Sequence, residues 1–155
     1  MDADYSHALS YAEESLALFT ELGDRARTGW QRVNIAFYKM LRRKYGEAIT
    51  ELRGAYELLR DDPHPWYLAS YLDTCFVLTC ELNRDESAGK ILGFVEKYRL
   101  DHRVPRLPFR MPLYAPQYEK LLTRAGEQRV WEWRAIGEHL SLSEIEDLME
   151  EVVVP

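Results

Sequence analysis

Ala8, Ala48 and Ala88 recur at intervals of 40 residues, each at the same point of a similar pattern. Tyr5, Tyr45 and Asp85 stand three positions before them, and Ala12, Leu52 and Leu92 four positions after. Ser15, Ala55 and Val95 follow three residues later again. Offsets of three and four put these side chains on one face of a helix. Self-similarity at a fixed spacing of this size is the signature of a repeat array, in which each helix pair buries its apolar face against its neighbours. The pattern points to a binding scaffold before any residue suggests chemistry.

The chain has 155 residues, one domain's worth, long enough to bury roughly 70% of its unfolded surface. With 7 prolines and 8 glycines, long structureless stretches are not expected. The 20 basic and 26 acidic residues give a net charge of −6, which favours solubility and disfavours direct nucleic-acid binding. No apolar run reaches the roughly 18 residues of a membrane span. Met1 is followed by Asp-Ala-Asp rather than by a basic and then apolar leader, so a cytoplasmic location is expected. Cys75 and Cys80 lie five apart on an expected helix and diverge by about 140°. They are expected to be buried free thiols in a reducing compartment rather than a disulfide.

Helical periodicity runs along most of the chain. A first helix over residues 5–22 carries Ala8, Ala12, Leu16 and Phe19 and ends at Gly23, which suits a left-handed closing residue. A second over 24–44 has Trp30, Val33, Phe37 and Leu41 as its stripe. A third over 45–60 turns Ala48, Leu52, Ala55 and Leu59 inward. Asp61-Asp62-Pro63-His64-Pro65 breaks it, because each proline excludes the helical state for the residue before it. Two further helices are expected over 66–82 and 85–100. The short connections make successive helices antiparallel hairpins.

In the middle unit Trp30, Val33, Phe37, Tyr45, Ala48, Leu52 and Ala55 fall in the order and spacing of the tetratricopeptide (TPR) repeat, which the chain resembles from Tyr5 to Leu100. Asn34 stands where that family usually has a small residue, and two extra residues between Phe37 and Tyr45 lengthen the period. The resemblance implies an all-α fold of TPR-like antiparallel helical hairpins in a right-handed superhelical stack. It divides residues 1–100 into a half unit at 4–22 and units at 24–60 and 65–100. Since 4–22 supply only the second helix of a unit, the chain is expected to be a piece of a larger protein, with repeats upstream. Otherwise that helix caps itself or pairs between molecules.

After Leu100 the composition changes. Pro105, Pro108, Pro112 and Pro116 predict an extended connector over 101–117, laid on the last repeat by Val104, Leu107, Phe109 and Leu113. A C-terminal helical cap is expected over 118–155, with one or two helices in 118–137. Ser141-Leu-Ser-Glu144 is a capping-box pattern that opens a last helix over 141–151. Tyr118-Glu-Lys-Leu-Leu122, Trp131-Glu-Trp133, Gly137 and Leu140-Ser-Leu-Ser-Glu144 are similar to the ending of TPR arrays in large bacterial signal-transduction ATPases and LuxR-type transcriptional regulators. The phrase from Glu14 to Asp24 is similar to a helix and turn within those arrays. The resemblance implies the C-terminal module of such a protein, with nucleotide- and DNA-binding parts elsewhere in the parent.

No chemistry-bearing motif emerges. No glycine-rich phosphate loop is present, and His7, His64, His102 and His139 share no metal-ligand spacing. The carboxylate clusters read as solvated helix faces rather than an acid–base pair. The chain is therefore expected to be non-catalytic, without metal or cofactor.

Binding is the remaining role. In the family resembled, first helices line a groove for a peptide or partner helix. By position this implies Gln31, Ile35, Tyr38 and Lys39, with Arg42 a turn on, and Asp73 and Val77 from the next unit. Gln31 and Ile35 replace the lysine and asparagine of the carboxylate-gripping version, which argues against that device. Arg32, Lys39 and Arg43 share a basic face that either meets an anion or pairs with acids of adjacent helices, and pairing is preferred. Lys97, Arg99, Arg103, Arg106 and Arg110 form a second basic stretch. Trp131 and Trp133, two apart on a helix, cannot both face one core. The leading expectation is a protein or peptide partner. The alternatives are a homodimer, built on the N-terminal half unit or the tryptophan region, and a helical domain that regulates a partner enzyme.

Overall fold

In a computed structural model, residues 2–61 and 64–153 are described, and they form eight α-helices and one short 3-10 turn. In order the helices are α1 (Asp2–Glu21), α2 (Arg25–Leu41), α3 (Tyr45–Leu59), α4 (Pro65–Glu81), α5 (Asp85–His102), α6 (Met111–Ala125), α7 (Glu127–Gly137) and α8 (Leu142–Val153). No strand occurs among the described residues, so the chain is all-α. It forms two compact units, divided inside α4 after Thr74.

Four helices end in the same way. Gly23, Arg43, Asn83 and Arg103 take left-handed φ values of 71°, 58°, 56° and 55°, at steps of 20, 40 and 20 residues along the chain. In each case the left-handed residue's N–H reaches the carbonyl three back, as in Arg43 to Met40 at 2.8 Å and Asn83 to Cys80 at 3.1 Å. The following N–H reaches back to the carbonyl five before it, as in Lys44 to Lys39 at 3.0 Å and Arg84 to Thr79 at 2.9 Å. This double bond closes carbonyls that the helix leaves open.

The starts are also determined locally. The Asp24 carboxylate caps α2 by accepting from the Arg27 N–H at 3.0 Å. Ser141 and Glu144 form the expected reciprocal box before α8: Ser141 N–H donates to the Glu144 carboxylate at 2.7 Å, and Glu144 N–H to Ser141 Oγ at 3.2 Å. Two backbone donors that α8 would leave bare are thereby satisfied.

In the first unit α2 packs against both α1 and α3. Val33, Ala36, Ala48, Leu52, Ala55 and Leu59 are buried, whereas Ala8 is half-buried. Small residues set the spacing: a methyl added at Gly29 would lie 2.8 Å from Leu59 Cγ. Trp30 stacks on Tyr67 at 5.2 Å, and Tyr56 lies 6.0 Å from Tyr71, which ties the first half of α4 to α2 and α3.

Every residue from 68 to 80 in α4 is buried. A helix buried all round must satisfy its polar groups internally. Thr74 Oγ1 accordingly donates to the Ser70 carbonyl at 2.8 Å, and Thr79 Oγ1 to the Cys75 carbonyl at 2.9 Å.

In the second unit α7 lies along α5, with α6 and α8 also against α5. Ala88, Ile91, Leu92, Val95, Leu121, Val130, Ile145 and Met149 form the core. Trp133 covers Gly89 while Trp131 is 70% exposed, as their spacing requires.

One expectation needs correcting. The extended connector over 101–117 is interrupted, because α5 continues to His102, a 3-10 turn spans Pro108–Arg110, and α6 begins at Met111. Pro112 falls in the first turn of α6, where its missing N–H is not needed. Pro116 lies inside the same helix and forfeits a hydrogen bond there. The stretch given to the connector thus supplies the first half of a helix.

Candidate functional site

Gln31, Ile35, Tyr38 and Arg42 follow one another at offsets of four, three and four on α2, with Lys39 beside them. Gln31 is 8% exposed and Ile35 1%, so both are packing residues. Asp73 is buried in the first unit and Val77 in the second. Of the expected groove residues, solvent reaches Tyr38, Lys39 and Arg42.

Tyr38 is half-buried, its ring 6.5 Å from Tyr5 and edge-on to Phe37 at 5.7 Å. Lys39 Nζ lies 3.1 Å from Glu51 and 3.5 Å from Glu47, both on α3. Burial pushes the Lys39 amine down, but Glu51 and then Glu47 outweigh it and hold it above its ordinary value. Arg32 reaches the same Glu51 at 2.9 Å. Arg42 hydrogen-bonds Ser6 of α1. Arg32 and Lys39 of the expected basic face thus pair with acids of α3, as preferred from the sequence, whereas Arg43 is the exposed left-handed residue that closes α2.

A second polar cluster lies wholly in the second unit. Glu96 Oε1 on α5 accepts from Arg106 Nη2 at 2.7 Å and from the Tyr114 hydroxyl at 2.9 Å. The Arg106 guanidinium also lies 3.6 Å above the centre of the Tyr114 ring, a close cation–π contact. Burial raises the Glu96 carboxyl, yet the Arg106 hydrogen bond and charge, the Tyr114 hydroxyl and the Arg134 charge overcome this and hold it below its ordinary value. Arg99 is buried and donates to the carbonyls of Val104 and Pro105 at 3.1 and 2.9 Å, which pins the segment after α5.

The sequence singled out Arg99, Arg103 and Arg106 as a basic stretch but missed Glu96, Tyr114, Tyr118 and Arg134. Once α6 begins at Met111, Tyr114 and Tyr118 lie four apart on a single helical face. Reading residues 111–117 as extended hid that signal.

Cys75 and Cys80 are free and buried, and burial pushes the Cys80 thiol up to about 12, which leaves it unreactive. Among the described residues no group of three or more His, Cys, Asp or Glu is placed to hold a metal ion. No described helix is long and apolar enough to cross a membrane. Tyr38, Lys39 and Arg42 on α2 and the Glu96 cluster are solvent-reached surfaces that combine aromatics with paired charges. No protein-family model matches the chain, and no curated protein or solved structure matches it either, so the role of these surfaces rests on their own chemistry.

Proposed function

We propose that this chain is a non-catalytic, TPR-like scaffold that binds a protein or peptide partner. On the resemblance of its C-terminal phrases, it serves as the C-terminal module of a bacterial signal-transduction ATPase or transcriptional regulator. The observation that carries the reading is the recurrence of one helix terminator at Gly23, Arg43, Asn83 and Arg103. Chains punctuated at multiples of 20 residues suit stacked hairpins, whose repeated surfaces recognise extended partners. The α2 face offers Tyr38 and Arg42 for this purpose, an aromatic body and a cationic tip.

The test is capture of peptides from a defined synthetic array by the purified chain. Tyr38→Ala and Arg42→Ala should each reduce capture of the best peptides about fivefold, with thermal midpoints within a few degrees of wild type. Capture that survives both substitutions would remove the α2 face from the reading, and no capture at all would count against a peptide-binding scaffold.

Self-association is the second reading, favoured by one observation on α1. Tyr11, Leu18 and Leu22 are 69%, 59% and 76% exposed, at helical offsets that align them as one apolar stripe. Light scattering over a concentration series separates the two. A constant mass near 18.2 kDa favours the partner-binding scaffold, whereas a rise to twice that value favours the homodimer.

A further inference from the structure

Two adjoining hollows open beside the Glu96 cluster. One, of about 270 Å³, is lined by Leu92, Glu96, Arg106, Tyr114, Tyr118 and Arg134. The other, of about 460 Å³, shares Glu96 and Arg106 and extends over Leu100, Arg103 and Pro105. Together they make a trough along the end of α5, walled by the segment that Arg99 pins and by α6 and α7.

The charge in this trough opposes that of the chain. Four guanidiniums, those of Arg99, Arg103, Arg106 and Arg134, gather around the single carboxylate of Glu96, in a protein of net charge −6. Arg106 is engaged by Glu96, and Arg99 by backbone carbonyls. Arg103 and Arg134 differ: neither guanidinium makes a hydrogen bond or ion pair among the described residues. Arg134 is half-buried beside the cleft, where its charge already bears on Glu96, and Arg103 is exposed at the outer end. With no hydrogen bond fixing either fork, each can take an external carboxylate.

The geometry points to an acidic peptide segment as the occupant of this trough. One of its carboxylates pairs with Arg134 in the smaller hollow, and a second with Arg103 at the outer end. An apolar side chain of the peptide covers Leu100, which is 78% exposed at the rim. An inorganic anion leaves that apolar rim and most of the larger hollow unfilled. A nucleic acid finds only Tyr118 to stack on, because Arg106 already covers the Tyr114 ring, whereas single strands are held by successive aromatics. The proposal does not depend on the α2 face.

The test is fluorescence anisotropy with a labelled twelve-residue peptide of alternating Asp, Leu and Glu, titrated with the whole chain at low salt. Saturable binding is expected, weakened about tenfold by Arg134→Gln and by Arg103→Gln and more by the pair, with the thermal midpoint preserved. Arg129→Gln, an exposed arginine of α7 outside the trough, removes the same charge and should leave the affinity within twofold. A peptide with Lys in place of Asp and Glu should not compete. Three results would overturn the assignment: no binding of the acidic peptide, equal weakening by Arg129→Gln, or stronger competition from inorganic phosphate or a single-stranded oligonucleotide. A loss confined to Arg103 and Arg134 variants upholds the trough whether or not the α2 substitutions affect array capture, so the two readings fail separately.

Discussion

Gly93 on α5 and Gly137 on α7 let the two helices meet backbone to backbone. A methyl group on Gly93 would overlap the Arg134 carbonyl, and one on Gly137 would overlap that of Lys90. Each glycine thus faces the main chain beside the other's helix, and Gly89 repeats the close approach one turn earlier against Trp133. Backbone cannot rotate aside as a flexible side chain can.

Gly93→Ala and Gly137→Ala should therefore each destabilise the chain by about 3 kcal/mol or more, the upper range for overpacking. Gly46→Ala provides the contrast. It sits in the first turn of α3 with nothing within 4 Å of the added methyl, and it should gain up to about 0.5–1 kcal/mol from helix propensity. Urea unfolding followed by circular dichroism measures all three. An equal effect at the three positions would mean that α5 and α7 do not pack this closely.

Arg43 and Arg103 carry side chains in a conformation that favours glycine. Replacing Arg43 by glycine should raise stability by about 0.5–1 kcal/mol, and Asn83→Gly by less, since asparagine tolerates the left-handed region better. Arg43→Ala keeps the strain and should give no gain. Thermal melts of the three variants check the order, and a gain from alanine equal to that from glycine would assign the effect to the lost side chain.

Glu96 sets an expectation for acid. Its folded carboxyl lies below the ordinary value of 4.5, so the stability it supplies is complete above that pH. It is lost as pH falls through the lower folded value. Glu96→Gln should cost about 1–3 kcal/mol at neutral pH by replacing the charged acceptor of Arg106 with a neutral amide oxygen. The variant's stability should also fall less steeply than wild type's below pH 4.5. Parallel curves in that range would show that Arg106 and Tyr114 hold the neutral acid as firmly as the carboxylate.

Much of the helical framework was legible because its signals are local. Gly23 closes α1, Ser141 and Glu144 cap α8, and the three and four spacing of α3 places Ala48, Leu52, Ala55 and Leu59 inside. Asp85 shows where local reading stops. It takes the place that Tyr5 and Tyr45 hold in the earlier segments, and only the structure supplies the reason. Arg124, 39 residues away, grips both its oxygens at 3.0 and 3.2 Å through Nε and also reaches the Cys80 carbonyl at 3.1 Å. That pair joins the end of α6 to the junction of α4 and α5. The prolines of 105–116 misled for a related reason, since Pro112 terminates a helix from within but is accepted at its start. For the binding face, periodicity grouped Gln31 and Ile35 with Tyr38 and Arg42 but carries no record of what covers them. Burial depends on a neighbouring helix that the spacing along α2 does not encode.

The recurring left-handed terminators have a consequence for how such a chain can change length. Each stops its helix and resets the backbone direction, so a duplicated or deleted block of whole segments meets the same junction at both borders. A single residue inserted within a helix has no such tolerance. It rotates every downstream side chain by about 100°, turning an alanine such as Ala48 or Ala88 away from the contact it permits. Growth by whole segments is cheap for this architecture, and growth by single residues is confined to the joints.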